Sequence, residues 1–172
     1  DAFDAYEVQF AETLCHTAGL ALARIHLDKH LSEEIASDPL TGLDNYPAFL
    51  SKLNTEILRA KRFETHFTLL VFHIDYVKTI YESFGVMSGD LVLEKIAEIL
   101  KHSIRQIDVA ARLSHDRFGL LLVENKREEA IECAERLLKN IESSVVDFEG
   151  ESVPLTATIG ISVFGRDGEH AT

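Results

Sequence analysis

Tryptophan is absent, methionine occurs once, and the 172 residues hold only 3 prolines and 9 glycines. So few breakers argue against a collagen-like or Pro/Gly-rich disordered chain, and a hydrophobic share of 46% is that of a folded domain. The two cysteines, Cys15 and Cys133, lie far apart without C-x-x-C spacing, so no disulfide is expected and both read as thiols of a reducing compartment. Positive charge is scarce: 17 Lys plus Arg against 29 Asp plus Glu leave a net charge of −12. Such a chain repels phosphate backbones and anionic headgroups, which argues against nucleic acid and membrane surfaces as partners. Any anionic ligand has to be held by a local group of arginines working against the global field. No run of about 18 apolar residues occurs and no charged segment leads into an apolar one, so the cytoplasm is the expected compartment.

The length allows one domain of ordinary size with an appendage. In residues 3–36, Ala11, Leu14, Ala18, Ala21 and Ile25 recur at steps of three and four, and Leu27, Leu31 and Ile35 form a second, offset stripe. This predicts a long N-terminal signalling helix over 1–36 that pairs with its twin or packs on a neighbouring domain. The chain opens at Asp1 within that stripe and reads as a piece cut from a longer protein. Ser37 to Asn45 concentrates turn and cap residues and marks the joint to a second unit over 37–172.

Within that unit, Phe49, Leu53, Ile57 and Leu58 predict a helix over 46–63, and the apolar run from Phe67 to Ile74 predicts a buried central strand. Ser88 to Ile104 reads as a helix, Val109–Leu113 and Phe118–Val123 as a hairpin, 127–143 as a helix and Val153–Val163 as one strand. Asn125 stands where it could cap the helix that follows it. The order implies an α/β fold, an α+β sandwich whose mixed, mainly antiparallel central sheet is flanked by helices.

The motifs inside this frame resemble a known family. Asp38-Pro39-Leu40-Thr41-Gly42-Leu43-Asp44-Asn45 is similar to the D-x-L-T-G-L-x-N entry motif of GGDEF domains, the diguanylate cyclases. The likeness continues through His73-Ile74-Asp75-Tyr76-Val77-Lys78-Thr79-Ile80-Tyr81, Phe84-Gly85, Gly89-Asp90, Arg105-Gln106-Ile107-Asp108 and Ala111-Arg112-Leu113. It ends on Ser114-His115-Asp116-Arg117-Phe118, where the family has its G-G-D-E-F signature. The resemblance implies a nucleotide-cyclase-like fold, an upstream sensor of the GAF type, and opposed domains in a homodimer. It also implies a final helix bearing phosphate-contacting Lys and Arg, which this chain is expected to lack.

Departures from the pattern carry the functional expectation. In the family, the first Asp of D-x-D and an acidic signature residue hold divalent metal on GTP; here those roles would fall to His73 and to Asp116 or Arg117. Mg²⁺ needs near-octahedral oxygen ligation, which an imidazole supplies poorly and a neighbouring guanidinium opposes. Ser114 and His115 crowd the place of two glycines, and Tyr81 stands for the Asn that reads guanine, with Asp90 retained. The resemblance therefore points to a degenerate domain without catalytic residues, metal or other cofactor, whose Asp75, Lys78, Tyr81 and Asp90 form a vestigial nucleotide pocket. GTP held through Arg117 as a phosphate clamp, a transition-metal site from His73, His115 and Asp116, and a bare scaffold are the competing readings of this pocket.

Arg105-x-x-Asp108 sits four residues before Arg112, the address at which the family's R-x-x-D site binds cyclic di-GMP. An arginine can donate to guanine O6 and N7 or to phosphate while a carboxylate accepts from the amide edge. Its bland alternative is an i, i+3 pair at a helix end, contributing only a few tenths of a kcal/mol. The expectation is thus a cyclic di-GMP receptor in a signalling protein, set against an active cyclase using Mg²⁺ and against a purely structural dimerisation module. His26 and His30, four apart on the first helix, read as a polar face.

Overall fold

The computed structural model describes residues 36–148 and 151–168. Residues 1–35 of the long helix expected over 1–36, with Cys15, His26 and His30, lie outside the described residues. Helix α1 spans Tyr46–Phe63 and starts where the Asn45 side chain accepts from Ala48 N–H at 3.0 Å, with Pro47 in its first turn. It buries Phe49, Leu53, Glu56 and Ala60, at steps of four, three and four, on one stripe.

Strand β1, Phe67–Ile74, follows and is flanked on both edges, so its apolar run is buried as read from the sequence. Two helices come next, α2 over Val77–Phe84 and α3 over Val86–Ser103, separated by Gly85 at φ 84°. The first of them was not foreseen, and α3 begins two residues earlier than the expected Ser88. The hairpin of β2 (Val109–Arg112) and β3 (Arg117–Val123) is as predicted, and α4 spans Arg127–Glu142.

The single strand expected over 153–163 divides in two. Strand β5 (Glu151–Pro154) pairs with β4 (Val145–Phe148) in a small separate ribbon, while β6 (Ala157–Val163) joins the main sheet. Pro154 has no N–H to extend a ladder and ends β5, and Leu155 then turns into the core. The main sheet runs β2-β3-β1-β6 with every strand pair antiparallel.

Alternation along β1 sorts the two layers. Leu70, Phe72 and Ile74 face α3 and α4, meeting Val92, Ile96, Leu100, Leu137 and Ile141 in the larger core. On the other face Phe67 joins Phe49, Leu53, Ala111, Leu121 and Val123 beneath α1. The entry loop is tied to this frame by Asp38. Its Oδ1 accepts from Thr41 N–H at 2.8 Å and Thr41 Oγ1 at 2.7 Å, and Arg112 Nη1 donates at 3.3 Å. Part of the entry motif is therefore a structural clasp.

Candidate functional site

At its C-terminal end β1 carries His73, whose backbone register places it opposite Arg117 of β3 and Thr158 of β6. The imidazole lies between two carboxylates, with Nε2 3.2 Å from Asp116 Oδ2 and Nδ1 3.5 Å from Asp75 Oδ1. Asp116 also accepts from Ser114 Oγ at 3.1 Å, and Arg117 Nε stands 4.0 Å from Oδ1. Burial alone would raise the Asp116 carboxyl, but the Ser114 hydroxyl and the neighbouring His115 and His73 hold it below its ordinary value. Asp75 accepts from Thr156 Oγ1 at 2.8 Å, so the segment leading into β6 closes this corner.

The divalent cation implied by the family meets a poor donor set here. One position is a ring nitrogen, the nearest carboxylates are already engaged by that ring and by hydroxyls, and a guanidinium adjoins them. That set does not fit Mg²⁺, which requires several oxygen ligands in octahedral array. Among the described residues no three His, Cys, Asp or Glu side chains are arranged to hold a metal ion, so His73, His115 and Asp116 do not form the transition-metal triad considered above.

The expected base pocket is filled from within. Tyr81 donates its hydroxyl to Asp90 Oδ1 at 2.7 Å, and its ring lies so close over Gly89 that an added Cβ would fall 2.4 Å from it. Burial, with the bond to Asp90, pushes the phenol up to about 12. Lys78, on exposed α2, pairs with Glu82 at 3.7 Å and takes no part in this arrangement.

The second candidate site is a cleft of about 620 Å³ between the end of α3, the loop that follows it and α4. Arg105, Asp108, Asn125, Cys133 and Arg136 are among its lining residues. The Arg105 and Asp108 side chains do not pair as an i, i+3 ion pair. Instead Asp108 Oδ2 accepts from Arg105 N–H at 2.9 Å and Oδ1 from Val123 N–H at 3.0 Å, so the carboxylate clamps its own loop to β3. Among the described residues the Arg105 guanidinium has no hydrogen-bond or ion-pair partner, and it is exposed at the cleft mouth.

Arg136 was missed by the sequence reading. It shares a helical stripe with Cys133 and Asn140, steps of three and four that were legible, and reaches back to Ser103 O at 3.0 Å. Burial raises the Cys133 thiol despite Arg136 beside it. Asn125 does not cap α4: Lys126 is the cap residue, its N–H bonded to Glu129 Oε2 at 3.4 Å. Glu129 and Glu132 also line the cleft, so an anionic ligand has to be gripped by direct contact with the two arginines.

An all-antiparallel four-stranded sheet backed by α3 and α4, with the β2–β3 hairpin presenting residues 114–116 beside the end of β1, defines a nucleotide-cyclase-like α+β domain. Residues 35–172 match the family described as "Diguanylate cyclase, GGDEF domain", and the chain belongs to that family. It is 35% identical over 139 residues to the diguanylate cyclase DgcP of Pseudomonas aeruginosa, over 81% of this chain and 21% of DgcP. The diguanylate cyclase SiaD of the same organism, solved with its activator SiaC, superposes with a TM-score of 0.73 at 26% identity, covering 92% of this chain and 62% of that one. A microbial GGDEF domain solved for its interaction with cyclic di-GMP matches with a TM-score of 0.66 at 26% identity, over 80% of this chain and 83% of that one. The chain thus spans about a fifth of the length of DgcP. No helix among the described residues is long and apolar enough to cross a membrane.

Proposed function

We propose that this GGDEF domain is catalytically silent and reads cyclic di-GMP rather than making it, through the cleft of Arg105, Asp108 and Arg136. The observation that carries the reading is the contrast between its two sites. Around His73 the would-be metal donors are spent on one another, and Tyr81 occupies the base pocket beside Asp90. In the cleft, Arg105 is uncommitted and Arg136 faces the same space. Two guanidinium groups suit a ligand with two phosphates and guanine O6 and N7 acceptors. The cyclic di-GMP interaction of a GGDEF neighbour at 26% identity supports the same ligand.

In this account the domain works as a cytoplasmic homodimer. Tyr76, Val86, Met87 and Leu91 leave large apolar side chains exposed on and around the α2–α3 hairpin, an apolar face suited to a second copy. Two assays test the function together. Purified protein incubated with GTP and Mg²⁺ or Mn²⁺ is expected to accumulate no cyclic di-GMP on chromatography, and calorimetric titration is expected to show binding that Arg105→Ala weakens by at least about tenfold. Product above a no-protein control would restore the active-cyclase reading. Equal heats for wild type and Arg105→Ala would leave only a structural module.

A further inference from the structure

Of the three carboxylates that line the cleft of Arg105 and Arg136, two are committed to the fold itself. Asp108 accepts a backbone N–H on each oxygen, from Arg105 and from Val123. Glu129 Oε2 accepts from Lys126 N–H at 3.4 Å, at the start of α4. The third, Glu132, is exposed and has no hydrogen-bond or ion-pair partner among the described residues.

Spacing does not force that isolation. Glu132 stands one turn before Arg136 on α4, the order in which an i, i+4 ion pair is most favourable. Arg136 instead reaches across to Ser103 O at 3.0 Å, with its Nη2 3.7 Å from Cys133 Sγ. A free carboxylate and two guanidinium groups therefore face one space, which asks for a ligand that both accepts and donates. Phosphate alone gives the carboxylate nothing to accept. Among the common bases, guanine pairs two acceptors, O6 and N7, with two adjoining donors, N1–H and the exocyclic amine. Two parallel donors match the two oxygens of one carboxylate, as they do in a bidentate pair.

We infer that Glu132 is the residue that selects guanine in this cleft, its two oxygens accepting from N1–H and the exocyclic amine of one base of the ligand. The inference rests on the proposal that the cleft takes cyclic di-GMP, and it moves base reading from Asp108, which holds the loop, to α4. Adenine turns an N1 lone pair and a C2–H toward the same carboxylate. Its complex loses both hydrogen bonds and gains a repulsion, and a site built to hydrogen-bond one group discriminates strongly against an analogue without it. Grip belongs to the arginines and the choice of base to Glu132.

Calorimetric titration of wild type, Glu132→Ala and Glu129→Ala with cyclic di-GMP, cyclic di-IMP and cyclic di-AMP tests this, with thermal melts alongside. Cyclic di-IMP keeps O6, N7 and N1–H but lacks the exocyclic amine. Wild type is expected to bind cyclic di-GMP at least about tenfold tighter than cyclic di-AMP, with cyclic di-IMP between them. Glu132→Ala is expected to melt as wild type does, because the side chain is exposed and unpaired, and to bind all three with about the affinity of cyclic di-AMP. Glu129→Ala is expected to keep the wild-type order. A wild type that binds cyclic di-GMP and cyclic di-AMP equally overturns this inference alone. So does a Glu132→Ala protein that keeps the wild-type ratio between them, including one that gains equally for every ligand. A wild type that binds none of the three removes the parent proposal and this one with it.

Discussion

At the scale of single residues, one substitution decides the fate of a pocket. Tyr81 is more than a missing asparagine: its ring covers Gly89 and its hydroxyl satisfies Asp90, which in the proposed reading fills the space a base would take. Burial and the bond to Asp90 favour the neutral phenol, raising it from 10.0 to about 12. This contribution to stability is therefore present in full below pH 10.0 and is lost as pH rises through about 12. Phenolate absorbance followed against pH should show a late ionisation belonging to Tyr81. Tyr81→Phe should remove that late step alone; a titration without any late step contradicts the geometry. The departure at Tyr81 was legible in the sequence but its contacts with Gly89 and Asp90 were not, because they depend on how α2 folds back on α3. Likewise the address of Arg105 and Asp108 was legible, while the use of the carboxylate as a backbone clamp was not, since Val123 is brought there by the sheet.

Among the elements, periodicity served where burial is one-sided or complete. The stripe of α1, the apolar run of β1 and the β2–β3 hairpin were readable because each pattern answers to a single packing partner or to two faces at once. Helix α2 escaped notice because its eight residues are too short for a stripe to repeat. The break between β5 and β6 was signalled by Pro154, yet the alternation on either side of it masks a change of partner from β4 to β1. Packing of α2 on α3 yields its own test. Gly89→Ala forces a Cβ to 2.4 Å from the Tyr81 ring and is expected to destabilise the domain by about 1–3 kcal/mol in denaturant unfolding, whereas the same change in a Tyr81→Ala background should cost little. The entry loop supplies another. Burial would raise the Asp38 carboxyl, but its bonds from Thr41 and the Arg112 guanidinium hold it below the ordinary value of 3.8. A depressed carboxyl stabilises above the unfolded value and loses that contribution as pH falls through the folded one. Asp38→Asn should therefore lower the melting temperature at neutral pH and flatten its decline below pH 3.8, a difference visible in melts across the acid range.

For the whole molecule, an acidic chain has kept its few arginines where they serve distinct ends. Arg112 fastens the entry loop, Arg117 stands beside Asp116, and Arg105 and Arg136 meet at one cleft. The proposed pairing of two copies through Tyr76, Val86, Met87 and Leu91 predicts a dimer in sedimentation experiments that Met87→Lys with Leu91→Lys converts to monomer; a wild-type monomer at all concentrations removes it. The account as a whole asks that the ligand choose the cleft over the corner around His73. Nitrogen-edited NMR of the arginine Nε–H groups during addition of cyclic di-GMP reports both places in one experiment. Shifts confined to Arg105 and Arg136 with Arg117 unmoved are the predicted result, and a shifted Arg117 beside unmoved Arg105 and Arg136 would contradict it.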